Sequence, residues 1–153
     1  MNLINQTDKD KYSSSIDDIH DTFAREIIVI KEIKTPIDNL DDADDDYDFI
    51  NDKHRGSEEF ENTIVTTTIK ARIKYIDKQD KEYAFISTLG GEQINLSQEF
   101  GLIRLKIKLS ESDLVNEASR IEVDKNNTRV IFRDSPHGLF DRQYSTFYVQ
   151  RTP

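Results

Sequence analysis

The chain contains no cysteine, and this absence removes several kinds of chemistry at once. Disulfide bonds, thiolate metal sites and cysteine nucleophiles are all excluded. Long apolar runs are also missing, because the longest purely aliphatic stretch is the four residues from Ile27 to Ile30. A membrane-spanning helix needs about 20 apolar residues, and the polar first residues do not resemble a signal peptide. The sequence therefore predicts no targeting segment and no membrane partner.

Recognisable catalytic motifs are missing as well. There is no G-x-S-x-G elbow, no phosphate-binding loop and no H-E-x-x-H zinc motif. The three histidines, His20, His54 and His137, share no metal-ligand spacing. We therefore predict a protein that is not an enzyme and that has no catalytic residues, cofactor or metal ligands. A metal-assisted hydrolase built on clustered acids is a competing hypothesis, although the acidic run DDADDDYDF lacks the spacing of a calcium loop.

Charge is distributed unevenly along the 153 residues, and this locates the net charge of -9. Residues 1–62 hold 18 acidic and 7 basic side chains, whereas residues 63–153 hold 12 acidic and 14 basic ones.

The length fits a single domain spanning residues 1–153. Its first 11 residues are polar and are expected to form an N-terminal arm.

A short helix is predicted near the N-terminus, over residues 13–25. A serine stands at its start, acidic residues follow in the first turns, and Ile16, Ile19 and Phe23 are spaced along one face. This pattern predicts that the three apolar side chains pack on the protein. His20 lies among aspartates and is expected to be a surface residue.

The rest of the pattern is mainly that of β-strands. β-branched residues predict a first strand over residues 26–34, and apolar and polar residues alternate from residue 63 onward. A further strand is expected over residues 82–87, and one or two helical turns over residues 110–119. Six or seven strands without a repeated βαβ pattern indicate an all-β fold, a mainly antiparallel small β-barrel or sandwich.

A long acidic insertion is predicted between two early strands, over residues 38–61. Eight of the fifteen residues from 38 to 52 are acidic, which leaves too little apolar surface for a core of their own. Long loops in compact domains are usually functional or disordered. The acidic side chains that we expect on this loop are Asp41, Asp42, Asp44, Asp45, Asp46 and Asp48.

Two strands carry basic residues at every second position. These residues are Lys70, Arg72, Lys74, Arg104, Lys106 and Lys108. If the strands are neighbours, they form a positive face that suits nucleic acid or an acidic protein partner, and the acidic insertion of a second copy is one candidate. The alternative is the ordinary solvated face of a half-exposed sheet. A pI near 4.8 and the scarcity of aromatics among the cations argue against nucleic acid.

The last 34 residues predict a hairpin, a loop and a closing strand. The hairpin is expected to bury Ile121, Val123, Val130 and Phe132, and the turn at 136–140 to place a hydrophobic plug on the core. The closing strand has one apolar face and one aromatic-polar face, which suits a subunit interface. Together with the six cations, the interface residues that we expect are Tyr144, Tyr148 and Arg151.

The order of these elements resembles that of the head-closure, or stopper, subunits of tailed bacteriophages. The resemblance covers residues 14–34, a helix running into a first strand, and residues 110–151, a short helix followed by a hairpin, a loop and a final strand. It implies a small β-barrel with a long channel-facing loop between early strands, where residues 38–61 fall. Related adaptor and tail-terminator subunits are alternatives within the same neck.

The resemblance implies a structural virion protein of the phage neck, made in the host cytoplasm. Copies would form a homo-oligomeric ring below the portal, retain packaged DNA, and dock the tail by contacting portal or adaptor and tail proteins. Double-stranded DNA would pass through the ring, where acidic loops would repel its phosphates. The second hypothesis is a small β-barrel that binds nucleic acid through its two cationic strands.

Overall fold

A computed structural model describes residues 4–36, 47–48, 53–54, 60–89 and 100–152. The chain divides into two compact units. The first, which we call the barrel unit, consists of Met1–Lys31 and Thr66–Pro153. The second, which we call the acidic unit, consists of Glu32–Val65.

Six antiparallel strands close into a barrel in the order β1-β4-β5-β8-β7-β6. The barrel strands are β1 (Arg25–Pro36), β4 (Phe60–Ile76), β5 (Leu102–Lys108), β6 (Arg120–Val123), β7 (Asn126–Arg133) and β8 (Tyr144–Arg151). Two short strands, β2 (Tyr47–Asp48) and β3 (Lys53–His54), pair with each other in the acidic unit. The helices are α1 (Gln6–Phe23), α2 (Lys81–Leu89) and α3 (Ser112–Asn116). The prediction of a small antiparallel β-barrel is confirmed.

The barrel interior is filled by alternate residues of its strands. β5 illustrates the pattern, since Ile103, Leu105 and Ile107 are buried and the basic residues between them are only partly so. Phe147 and Val149 of β8 and Ile121 and Val123 of β6 face the same interior. Burying one such side chain contributes about 1.5–3 kcal/mol, so this cluster is the main source of the stability of the fold.

β8 is buried along almost its whole length, from Tyr144 to Gln150. It lies between β5 and β7, and its outward-facing side chains contact helices of the same chain. Tyr144 is 1% exposed and Tyr148 is 7% exposed. Both rings therefore offer little surface to a neighbouring subunit, whereas Arg151 at the end of the strand is exposed.

α1 begins earlier than the sequence predicts and packs through a different face. Asn5 caps the helix, its side-chain oxygen accepting a hydrogen bond from the backbone N–H of Asp8 at 2.8 Å. Much of the predicted polar arm is therefore helical. The predicted apolar face is wrong, because Ile19 and Phe23 are 51% and 66% exposed. The predicted surface position of His20 is also wrong, since it is the one buried residue of α1.

A helix replaces the strand predicted over residues 82–87. α2 begins after a turn in which the Asp80 side chain accepts a hydrogen bond from the backbone N–H of Asp77. Ile86 is buried and Tyr83 packs beside it, three residues apart on one helical face, whereas Phe85 is 61% exposed. Contacts on this face outweigh the β-propensity of the aromatic and β-branched residues. The glycines of the stretch TLGGEQINLS, residues 88–97, predict a hairpin after this segment, but the stretch lies largely outside the described residues.

The C-terminal hairpin forms as predicted, with two differences in burial. Asp124 and Lys125 form its turn in left-handed conformations, with φ of 48° and 64°. Ile121 and Val123 are fully buried, but Val130 is 36% exposed. An irregularity in the β7–β8 register follows Val130 and places Phe132 opposite Tyr148, because a bulge changes the direction of the side chains beyond it. Phe132 packs in a second, smaller cluster instead.

The loop after β7 does not supply the predicted plug. Leu139 is 62% exposed, and Phe140 contacts the ring of Tyr12 on α1 at 6.3 Å between ring centroids. Gly138 is needed for space rather than for positive φ, because a Cβ there would lie 1.7 Å from the carbonyl oxygen of Asp141. The loop is thus held by its backbone and by α1.

The acidic insertion predicted over residues 38–61 lies mostly outside the described residues. Asp48 belongs to β2, opposite Lys53 of β3. β4 already begins at Phe60. The predicted loop residues Asp41, Asp42, Asp44, Asp45 and Asp46 are not among those described.

Candidate anion-binding cleft

Strand pairing brings the two cationic strands together on the outside of the barrel. Arg72 of β4 lies opposite Lys106 of β5, and Lys74 lies opposite Arg104. Like charges directly opposite each other destabilise a sheet. Their gathering on one face therefore requires compensation from other groups.

These four cations line an open cleft of about 540 Å3. Ile73, Thr146 and Tyr148 also line it, and the loop after β7 contributes Asp134 and His137. Its volume lies within the range of about 300–1,000 Å3 that is typical of ligand pockets. Four basic side chains and one carboxylate give this lining a net positive charge.

Glu82 of α2 neutralises one end of the cleft. Its carboxylate accepts hydrogen bonds from Lys74 Nζ and Arg104 Nη1, both at 2.8 Å, and from the Tyr148 hydroxyl at 3.1 Å. Burial alone would raise the pKa of Glu82, but the Lys74 hydrogen bond and the Arg104 charge lower it overall. Burial and the Glu82 charge raise the pKa of Tyr148, so its hydroxyl stays a proton donor. One of the two cross-strand cation pairs is thus compensated within the chain.

The other cation pair has no such carboxylate. Within the described part of the chain, no acidic group lies within ion-pair distance of Arg72 or Lys106. Lys106 Nζ lies 4.3 Å from the ring centroid of Tyr144, and the Arg72 guanidinium lies 5.8 Å from that of Phe23. Burial and the positive charges of Arg72 and Arg104 lower the pKa of Lys106. This is the part of the cleft best suited to receive a negative charge.

Tyr144 and α1 cover the adjoining part of the same face. The buried His20 ring stacks on Tyr144 at 5.0 Å between centroids, and its Nε2 donates to the carbonyl oxygen of Lys106 at 3.1 Å. The Tyr144 hydroxyl donates to Asp17, and burial together with this carboxylate raises the pKa of Tyr144. These contacts hold the β5 backbone next to Lys106.

Two of the predicted cations lie outside the cleft lining. Lys108 donates a hydrogen bond to Asp21 of α1 at 2.9 Å, and this bond raises the pKa of Lys108 and lowers that of Asp21. Lys70 is exposed on β4. Arg151 lines a separate, smaller cavity at the end of β8. The structure therefore brings together four of the six predicted cations.

Sequence reasoning did not identify Glu82, Asp134 or His137 as parts of this site. All three come from elements other than the cationic strands. The alternation of β4 and β5 carries no information about them. Glu82 follows β4 closely in the sequence, and an amphipathic helix there could have indicated an acidic partner for the cations. The sequence predicts a strand over residues 82–87 instead, so this indication is lost.

Among the described residues, no group of three or more acidic, histidine or cysteine side chains is placed to hold a metal ion. In the same part of the chain, no helix has the length and apolar character required to cross a membrane. No protein-family model matches the chain, and no curated protein sequence is significantly similar to it.

Proposed function

We propose that the chain is a structural subunit that assembles with copies of itself, as a head–tail connector subunit of a tailed phage does. The observation that carries this proposal is the exposure of the acidic unit. Every residue of that unit whose exposure is described, at 32–36 and 60–65, is exposed. Four of these residues have large apolar side chains: Ile33, Phe60, Ile64 and Val65.

Exposed apolar strand segments favour association. Two-stranded β-structure is marginal in water unless it packs on something else. Phe60 and Ile64 are 47% and 58% exposed, so burying the exposed half of both side chains would contribute about 1.5–3 kcal/mol to an assembly. We assign this surface to a second copy of the chain, because the stopper-like order of elements implies a homo-oligomer.

Within a phage neck, the subunit would form a ring below the portal, retain packaged DNA and dock the tail. The resemblance in element order supports this role, and so does the small barrel that the stopper-like pattern implies. Electron microscopy of the purified chain is expected to show closed rings, and an antibody against it is expected to label the neck of purified particles. A chain that stays monomeric and is missing from particles would contradict the proposal.

A pair of matched double variants tests the assembly surface. Phe60→Ser/Ile64→Ser is expected to shift the mass distribution from oligomer to monomer in mass photometry. The control Phe85→Ser/Leu139→Ser replaces two apolar residues of the barrel unit that are more exposed still, at 61% and 62%. Equal losses of assembly in both variants would mean that the acidic unit has no special part in it.

Nucleic-acid binding is the second candidate, and the cross-strand gathering of Arg72, Lys74, Arg104 and Lys106 favours it. Two features weigh against it. Glu82 already pairs with two of these cations. Tyr75 lies on the other side of β4, where its hydroxyl bonds Asp124, so it supplies no stacking platform in the cleft.

Charge reversal separates the two candidates. Reversing the six predicted cations should abolish binding of a fluorescent single-stranded DNA at low salt if the cleft is a nucleic-acid site. Affinity would also fall steeply between about 50 and 200 mM salt. Absence of DNA binding by the unmodified chain under both conditions would eliminate this candidate.

A further inference from the structure

In the cleft, the exposed Arg72 and the partly buried Lys106 lie opposite each other, and no carboxylate among the described residues is within ion-pair distance of either. Lys74 and Arg104 share Glu82, and Lys108 is paired with Asp21, so the neighbouring charges are compensated. Two cations held side by side repel each other, and more so where water is partly excluded. An anionic group bound between them would relieve this repulsion.

The chain itself carries a matching excess of negative charge. The barrel unit contains 18 acidic and 18 basic residues, so it is neutral overall, whereas the acidic unit contains 12 acidic and 3 basic ones. The whole net charge of -9 therefore belongs to the acidic unit. Its most acidic stretch, residues 38–52, has eight acids and no lysine or arginine.

We propose that the cleft binds the acidic stretch 38–52 of a neighbouring copy. The proposal rests on the self-assembly proposed above and names the contact that would direct it. Carboxylates of the stretch would pair with Arg72 and Lys106.

This arrangement has a consequence for symmetry. Each copy contributes one cleft and one acidic stretch, so the two partners of a contact use different surfaces. Such head-to-tail contacts produce rings when the rotation closes and filaments when it does not. A cleft that accepts a separate acidic protein would not by itself generate either.

Two complementary variants of the full chain test the proposal. The cleft variant is Arg72→Glu/Lys106→Glu. In the stretch variant, asparagine replaces each of five aspartates: Asp41, Asp42, Asp44, Asp45 and Asp46. Each variant alone is expected to assemble at least about tenfold more weakly than the unmodified chain. A 1:1 mixture is expected to form heterodimers, because the intact stretch of one variant meets the intact cleft of the other, while the second cleft and the second stretch of the pair are disabled.

The control for altered charge is Lys11→Glu/Arg142→Glu, which changes the net charge equally at two exposed positions outside the cleft. It is expected to assemble like the unmodified chain. Circular dichroism and urea unfolding check that every variant folds, and Arg72→Gln/Lys106→Gln replaces the cleft variant if charge reversal prevents folding. Normal assembly of a folded cleft variant would overturn the proposal while leaving self-assembly intact.

A direct binding measurement distinguishes failure of this proposal from failure of self-assembly. A fluorescent peptide of residues 38–52 is titrated onto the stretch variant, whose own stretch cannot compete. We expect saturable binding of the peptide, and we expect it to be lost when Arg72→Glu/Lys106→Glu is introduced into the same protein. This result would support the contact even if the unmodified chain is monomeric. No peptide binding, or binding of a single-stranded oligonucleotide in its place, would overturn it.

Discussion

The barrel unit and the acidic unit are connected through the same two strands, β1 and β4, but they differ in burial and in charge. The barrel unit buries alternate residues of six strands and balances its acids with an equal number of bases. In the acidic unit, all residues of described exposure are exposed, and acids outnumber bases by nine. One unit is built for its own stability. The other has no buried residue among those of described exposure, and we propose that a second copy of the chain covers it.

The difference in burial between the two units predicts different costs for truncating an isoleucine in each of them. Ile107→Ala removes a fully buried side chain from the barrel interior and is expected to cost about 2–5 kcal/mol of unfolding free energy. Ile64→Ala removes one that is 58% exposed, and it should change the stability of the monomer by no more than about 0.5 kcal/mol. Urea unfolding at concentrations where the chain is monomeric measures both.

Ile64→Ala should nevertheless weaken assembly, whereas Ile107→Ala should not do so beyond its effect on folding. A loss of monomer stability for Ile64→Ala as large as that for Ile107→Ala would show that the acidic unit has a core of its own. The distinction between the two units would then be invalid.

A second test asks whether the buried structure of the barrel unit includes α1. His20→Ala removes the hydrogen bond to the Lys106 carbonyl and the stack on Tyr144, and is expected to cost about 2 kcal/mol. Ile19→Ala, one residue earlier and 51% exposed, is the control and should be nearly neutral. Hydrogen exchange of the α1 amides should increase only in His20→Ala. A loss of stability and of amide protection in Ile19→Ala but not in His20→Ala would mean that α1 packs through the face predicted from the sequence.

The core of the barrel could be predicted because a strand has a period of two. Alternation along β5 identifies Ile103, Leu105 and Ile107 as buried, and the same rule places Arg104 and Lys106 on the outer face. These assignments depend only on local geometry. They required no knowledge of which strands are neighbours.

Prediction failed where a distant contact decides the outcome. The sequence predicts that Ile19 is buried and His20 exposed. Instead, His20 donates a hydrogen bond to the Lys106 carbonyl on β5, 86 residues away, and the face of α1 that carries His20 therefore packs on the barrel. Residues 82–87 have strand propensity, yet Glu82 contacts Lys74 and Arg104 from a helix. For the same reason, the cations of the cleft could be predicted, but the carboxylate that compensates half of them could not.

The smallest expected effect concerns that carboxylate. Glu82→Gln is expected to lower stability by about 1 kcal/mol at pH 7, because the ion pairs with Lys74 and Arg104 are partly exposed. The folded-state pKa of Glu82 lies below its ordinary value of 4.5, so the folded state binds fewer protons than the unfolded one. Its contribution is therefore complete above about pH 5 and is lost as the pH falls through the folded-state pKa.

Unfolding measured across this pH range should show the stabilities of the wild type and Glu82→Gln converging as the pH falls through the folded-state pKa of Glu82. Glu26→Gln removes an exposed carboxylate of β1 that forms no ion pair with described residues, and it is the control for the loss of one surface charge. Glu82→Gln also makes the cleft more positive by one charge, because it removes the carboxylate that pairs with Lys74 and Arg104. If the cleft receives the acidic stretch of a neighbour, Glu82→Gln should therefore weaken the fold and strengthen low-salt assembly, two opposite changes that a purely structural role of Glu82 would not produce.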